Sequence, residues 1–124
     1  MNCKEPIKHD YARGIDVSRW QGDIDWARVA AAGINHAVAK MTEGGTYTDP
    51  KFVDNFQGMR AAGLKGGVYH YFRALSSTPG QQLANIQARL AEVGLRVGAD
   101  ILAIDVETQG NEGVSADQMA DALY

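Results

Sequence analysis

The stretch Ala99-Asp100-Ile101-Leu102-Ala103-Ile104-Asp105-Val106-Glu107-Thr108 decides how this chain is read. Four apolar residues in a row, Ile101 to Ile104, are followed by two carboxylates with one valine between them. A short apolar run of this kind reads as a strand buried on both faces, in a parallel sheet covered by helices. Residues two apart on a strand share a face, so Asp105 and Glu107 project together, roughly 7 Å apart at Cβ. Like charges at the mouth of an apolar sheet cost stability unless they are hydrogen-bonded or put to use. The pair therefore points to catalytic carboxylates; the plainer alternative is that both acids mark a strand end already in solvent.

Working outward, the chain alternates strand and helix. Arg13 to Ser18 is a short strand carrying Asp16, and Arg19-Trp20-Gln21-Gly22-Asp23 turns. From Asp25 to Ala32, Trp26, Val29 and Ala30 recur at helical spacing, and Gly33 supplies the stop. Ile34 to Thr42 alternates as a second strand and delivers Lys40, Thr42 and Glu43, after which Gly44-Gly45 makes a loop. Asp49-Pro50 predicts a helix start, with Asp49 as N-cap and Pro50 at the first helical position. Phe52, Val53, Phe56 and Met59 form its buried stripe, and Gly63 ends it. Gly66 to Arg73, rich in aromatics, is a third strand. A loop over Ser76 to Gly80 leads to a helix with Leu83, Ile86, Leu90 and Val93 on one face, ended by Gly94. Ser115 and Gln118 form a capping box that starts a last helix through Met119 and Leu123.

The pattern is βαβαβαβα, which implies a parallel sheet with right-handed crossovers. The polar residues then gather at one rim. Asp16, Lys40 with Thr42 and Glu43, Tyr69 with His70, and Asp105 with Glu107 all lie near the carboxyl ends of the four strands, where parallel α/β folds build their sites.

The 124 residues form one domain, read as residues 13–124 behind a tail over residues 1–12. A formal net charge of −3 argues against a nucleic-acid binder, and no apolar run approaches the length of a membrane span. The single cysteine, Cys3, excludes an internal disulfide. Met1 to Pro6 lacks the apolar segment of a signal peptide, so the product is expected to be made in the cytoplasm.

Four motifs carry a family resemblance. Gly14-Ile15-Asp16-Val17-Ser18-Arg19-Trp20-Gln21-Gly22 resembles the opening motif of the glycoside hydrolase family 25 lysozymes, the Chalaropsis-type muramidases. Lys40-Met41-Thr42-Glu43-Gly44 and Gly67-Val68-Tyr69-His70-Tyr71-Phe72 are similar to its next two strand motifs, and Asp105-Val106-Glu107 to its catalytic Asp-x-Glu. The motifs stand in the family's order and cover residues 13 to 124. Each is weak alone; the ordered set is specific.

The resemblance implies a (β/α) barrel, of which this chain holds about the first four βα units. It also implies cleavage of the β-1,4 bond between N-acetylmuramic acid and N-acetylglucosamine in peptidoglycan. Glu107 would be the general acid/base, Asp105 would assist by orienting or polarising the substrate's N-acetyl group, and Asp16 would be a further active-site acid. Tyr69 and Trp20 are expected to stack on sugars, and Lys40 and Glu43 to line the substrate site or pair with each other. His70 is expected either at the substrate or in a hydrogen-bonding role within the core. Trp26 and the phenylalanines are assigned to packing. No cofactor and no metal is expected.

The family's later strands, and a further active-site Asp near its end, have no counterpart here. The domain is thus expected to be C-terminally incomplete, with open barrel edges that self-association would cover. The alternative to a muramidase is an inactive half-barrel that binds glycan or a partner chain without cutting. A third reading makes the acids ligands for Mg²⁺ or Ca²⁺. Action on the cell wall would follow release, as for a phage endolysin, or export, as for an effector.

Overall fold

A computed structural model describes residues 12–124. The expected tail, residue 12 excepted, lies outside the described residues, as do Cys3 and the segment read for a signal peptide. Four strands run parallel: β1 (Gly14–Val17), β2 (His36–Glu43), β4 (Lys65–Tyr71) and β5 (Ile101–Asp105), in the order β1-β2-β4-β5. A two-residue strand that the sequence reading missed, β3 (Tyr47–Thr48), folds back antiparallel onto the end of β2. The loop expected at Gly44-Gly45 is therefore the turn of a hairpin.

Helices α1 (Trp26–Ala31), α2 (Phe52–Ala61) and α3 (Pro79–Val93) cover one face of the sheet. Alternation decides which side chains meet them. Val17, Ala37, Ala39, Met41 and Val68 point to the helices and pack with Trp26, Phe52, Phe56, Met59, Leu64, Ile86 and Val93. Full burial of each large apolar side chain contributes about 1.5–3 kcal/mol. The opposite face carries the polar residues.

Two helix starts and one buried stripe differ from expectation. Helix α2 begins at Phe52 with Lys51 as N-cap, not at Asp49-Pro50. Asp49 is instead buried, accepting the backbone N–H of Lys51 at 2.8 Å and of Arg19 at 3.1 Å. Helix α3 begins at Pro79, inside the stretch read as loop, because Thr78 and Gln81 form a capping box of the kind recognised at Ser115. On α3, Leu83 is 53% exposed and Gln82 takes the inward position, so the expected stripe is off by one residue at its start.

The strand with the Asp-x-Glu pair is not buried on both faces. It is an edge strand: Leu102 and Ile104, on its helix side, are 44% and 45% exposed. Helix α4 (Ala116–Leu123), capped by Ser115 as expected, buries no residue against the sheet. What anchors the start of β5 is polar. Asp100 accepts from Arg60 of α2 at 2.7 Å and from the Arg96 backbone at 2.7 Å. Among the described residues, no helix is long and apolar enough to cross a membrane.

Candidate active site

On the open face, strand order and side-chain direction bring the acids together. Asp16 on β1 and Asp105 on β5 are three strand spacings apart, roughly 14 Å across a flat sheet. Both nevertheless line one pocket of about 250 Å³, with Val38, Tyr69, Ala103, Ile104 and Glu107. The face bearing them is therefore a trough.

Asp105 is half-buried and Glu107, just past the strand, is exposed. Burial pushes the Asp105 carboxyl above its usual value, and the charge of Glu107, a hydrogen bond with it, and the charge of Asp16 act in the same direction. Two carboxyls in hydrogen-bond contact hold one proton between them more readily than two charges. Tyr69 projects from β4 into the same pocket. Burial, then the charges of Asp16 and Asp105, push its phenol far above the ordinary range, so it stays neutral.

Tyr71, two residues further along β4, was not singled out in the sequence. Its hydroxyl donates to the Gln109 carbonyl at 2.6 Å and lies 3.3 Å from Glu107 Oε2. The signal was present: i and i+2 on a strand share a face, so a site at Tyr69 extends to Tyr71. Asn111 was also missed. Buried in the loop after β5, it donates to the carbonyls of Phe72 and Glu107 at 2.8 and 2.9 Å and accepts from the Ala74 N–H at 2.6 Å. It thereby ties the loop carrying Glu107 to the end of β4. No periodic pattern announces such a residue.

Lys40 and Glu43 form an ion pair, and Arg73 adds a second bond from Nε to Glu43 Oε2 at 2.7 Å. Burial works against the Glu43 charge, but the hydrogen bonds and charges of Lys40 and Arg73 outweigh it and hold the carboxyl below its usual range. A register shift in β2 between Lys40 and Thr42 makes this pairing possible. Met41 and Thr42 both turn inward, which returns Glu43 to the face of Lys40; strict alternation would have put it on the other side.

His70 is not brought to the trough. It is buried on the helix side of β4, because it sits between Tyr69 and Tyr71 and must point the other way. Its Nδ1 meets Thr42 Oγ1 at 2.7 Å and its Nε2 meets Gln82 Oε1 at 2.8 Å. Gln82 Nε2 donates to the carbonyls of Arg73 and Ser77, so its oxygen must accept; His70 then carries its proton on Nε2 and accepts from Thr42. Burial pushes the His70 pKa down. Of the two roles read for His70, it takes the hydrogen-bonding one.

Trp20 stands on a 3-10 turn, Arg19–Gln21, capped by Ser18 and Gln21, and is 77% exposed. Buried Asp49 holds this turn through the Arg19 N–H. Trp20, Lys40, Glu43 and Tyr71 line a second, larger cleft of about 820 Å³ beside the acidic pocket. Among the described residues, no group of three or more His, Cys, Asp or Glu side chains is arranged to hold a metal ion.

Comparison with known proteins identifies the family. The sequence pattern of "Glycosyl hydrolases family 25" matches residues 15–123. Lysozyme M1 of Streptomyces globisporus is 44% identical over 73 residues, 59% of this chain and 25% of that protein. The N,O-diacetylmuramidase of Chalaropsis sp is 30% identical over 120 residues, 86% of this chain and 54% of that one. The crystal structure of the Streptomyces coelicolor lysozyme superposes with a TM-score of 0.78 at 31% identity, over 93% of this chain and 55% of its own. The chain thus spans about half the length, or less, of the relatives it matches. A match over nearly all described residues, in sequence and in fold, places this chain in glycosyl hydrolase family 25.

Proposed function

We propose that the chain carries the Asp-x-Glu part of a peptidoglycan hydrolase, a muramidase cutting the β-1,4 bond between N-acetylmuramic acid and N-acetylglucosamine. The observation that carries this reading is the convergence of Asp16, Asp105 and Glu107 on one trough with Tyr69. Glycoside hydrolysis needs a carboxylic acid to protonate the leaving oxygen and a second group to meet the positive charge developing on the sugar. Two neighbouring carboxyl groups in one trough offer both.

Glu107 is the proton donor in this reading because it is the exposed member, nearest to a bound glycan. Asp105, whose carboxyl burial and the neighbouring charge of Glu107 push up, stands beside it as the assisting acid. Asp105 orients and polarises the substrate's N-acetyl group, and Asp16 adds negative charge in the same trough. Tyr69 and Trp20 offer rings to sugar faces, and the Lys40–Glu43–Arg73 cluster borders the substrate path. The open sheet corresponds to about half of a (β/α) barrel, and the enzyme's place of action is the cell wall.

The test is digestion of purified N-acetylated peptidoglycan by the wild-type chain beside Glu107→Gln, with products reduced by borohydride and weighed by mass spectrometry. Muropeptides ending in reduced N-acetylmuramic acid, absent with the variant, are expected. A folded sample that binds the polymer and releases nothing would favour the second reading, a glycan-binding or partner-binding half-barrel. The exposed Leu102 and Ile104 beside an unpaired strand edge support that alternative, and self-association with it. Sedimentation equilibrium tests the association: a monomer across the concentration range would remove it.

A further inference from the structure

The larger cleft is lined by a ladder in which rings and cations alternate. The Arg19 guanidinium lies 4.4 Å from the centre of the Trp20 ring and 6.0 Å from that of Tyr47. Lys40 Nζ lies 5.4 Å from Tyr47 and 5.2 Å from Tyr71, and the Arg73 guanidinium 5.2 Å from Tyr71. All six side chains line the same cavity. Cation–π contact holds each charge over a ring without neutralising it.

Three cations face one carboxylate there. Glu43 is shared by Lys40 and Arg73, while Arg19 has no acidic partner within ion-pair distance among the described residues. This end of the groove is therefore locally positive in a chain whose formal net charge is −3. The neighbouring pocket, with Asp16, Asp105 and Glu107, is acidic. Tyr71 joins the two ends: its hydroxyl reaches Glu107 and its ring lies beneath Lys40 and Arg73. The groove is thus an electrostatic dipole along the substrate's path.

A plain glycan of neutral N-acetylated sugars gives such a dipole nothing to read. A glycan in which every second sugar carries an anionic peptide does. We propose that the Arg19–Lys40–Arg73 ladder binds the carboxylates of the peptide stem on N-acetylmuramic acid, and that this contact sets which sugar enters the acidic pocket. The proposal rests on the reading of the chain as a peptidoglycan hydrolase. Carboxylates are drawn to one end of the groove and repelled from the other, so an alternating polymer can seat in one phase and not in the phase shifted by one sugar. Guanidinium groups suit this task because they meet carboxylates in paired, charge-assisted hydrogen bonds.

The test uses the full chain carrying Glu107→Gln, which removes cleavage from the readout. Three probes are titrated calorimetrically: an N-acetylglucosamine–N-acetylmuramic acid tetrasaccharide with peptide stems, the same molecule with its stem carboxylates converted to carboxamides, and neutral chitotetraose. The stem-bearing probe should bind about tenfold more tightly than its amide form. Adding Arg19→Gln should remove most of that difference while leaving the affinity for the amide form and for chitotetraose within about twofold. The side chain of Arg19 is exposed and its hydrogen bonds to the fold run through its backbone N–H and carbonyl, so the variant should keep its structure. Raising the salt concentration should weaken the acid probe alone. Equal binding of the acid and amide probes, or an unchanged gap in Arg19→Gln, overturns the proposal and leaves the hydrolase reading standing. No binding of any probe by a folded sample overturns both.

Discussion

The Tyr71 hydroxyl stands 3.3 Å from Glu107 Oε2 while donating to the Gln109 carbonyl at 2.6 Å. A strand residue thus holds, from two sides, the short loop that carries the proposed proton donor. Tyr71→Phe keeps the ring that Lys40 and Arg73 rest on and deletes only these bonds. Peptidoglycan cleavage should fall roughly tenfold, in kcat more than in KM, the loss associated with about 1.4 kcal/mol. Steady-state rates on soluble glycan strands check it; an equal rise in KM with kcat unchanged would assign Tyr71 to binding alone.

Asp105 links stability to pH. Its carboxyl is raised from 3.8 by burial and by the charge and hydrogen bond of Glu107, so the native chain binds its proton more tightly than the unfolded chain. The protonated fold is favoured at low pH, and that contribution is lost as pH rises through the folded value. Asp105→Asn should therefore melt a few degrees higher than wild type at neutral pH, with the gap closing toward pH 3.8. Thermal melts at the two pH values decide it, and a lower melting point of the variant at neutral pH would contradict the upward push on the Asp105 carboxyl.

His70 gives the opposite slope. Burial lowers its pKa from 6.5, so the fold prefers the neutral ring. That preference contributes fully above 6.5 and is lost as pH falls toward the folded value. Loss of stability between neutral and mildly acid pH should be shallower in His70→Gln than in wild type, whatever the variant's absolute stability. Chemical denaturation across that interval measures the difference.

Gln82 satisfies four groups at once: His70 Nε2, the Arg73 N–H, and the carbonyls of Arg73 and Ser77. Gln82→Ala leaves a buried imidazole N–H and backbone groups without partners. A loss of about 2–4 kcal/mol is expected from urea midpoints. Gln82→Glu, which keeps the acceptor but cannot donate both amide hydrogens, should recover only part of it.

Gly58 lies within α2, where alanine is intrinsically better by about 1 kcal/mol. A Cβ there would sit 2.3 Å from Trp26 Cδ1 and 2.8 Å from Nε1. Trp26 is buried, so its ring has nowhere to retreat. Gly58→Ala should be destabilising by about 1–2 kcal/mol, since overpacking costs outweigh propensity. A stabilised variant would mean that Trp26 is free to move.

The order of elements, the parallel sheet and the helix stops at Gly33, Gly63 and Gly94 were legible in the chain, because periodicity and chain reversal are local properties. So was the pairing of Asp105 with Glu107, which follows from the two-residue repeat of a strand. Local pattern also placed Asp49 at a helix cap and Ile101 to Ile104 in a fully covered strand, and there it failed. Whether a carboxylate caps its own helix or a distant turn, and whether an apolar strand is central or at an edge, depends on neighbours remote in sequence. The register shift in β2 is the sharpest case: the pairing of Lys40 with Glu43 was expected, but strict alternation would put the two on opposite faces, and only one extra residue turned inward makes them partners. The sequence by itself determined which residues are acids, rings and cations, and on which strands they lie. The curl of the sheet decided that Asp16 and Asp105 share a trough, because closeness across three strand spacings is set by twist and packing rather than by any pattern along the chain.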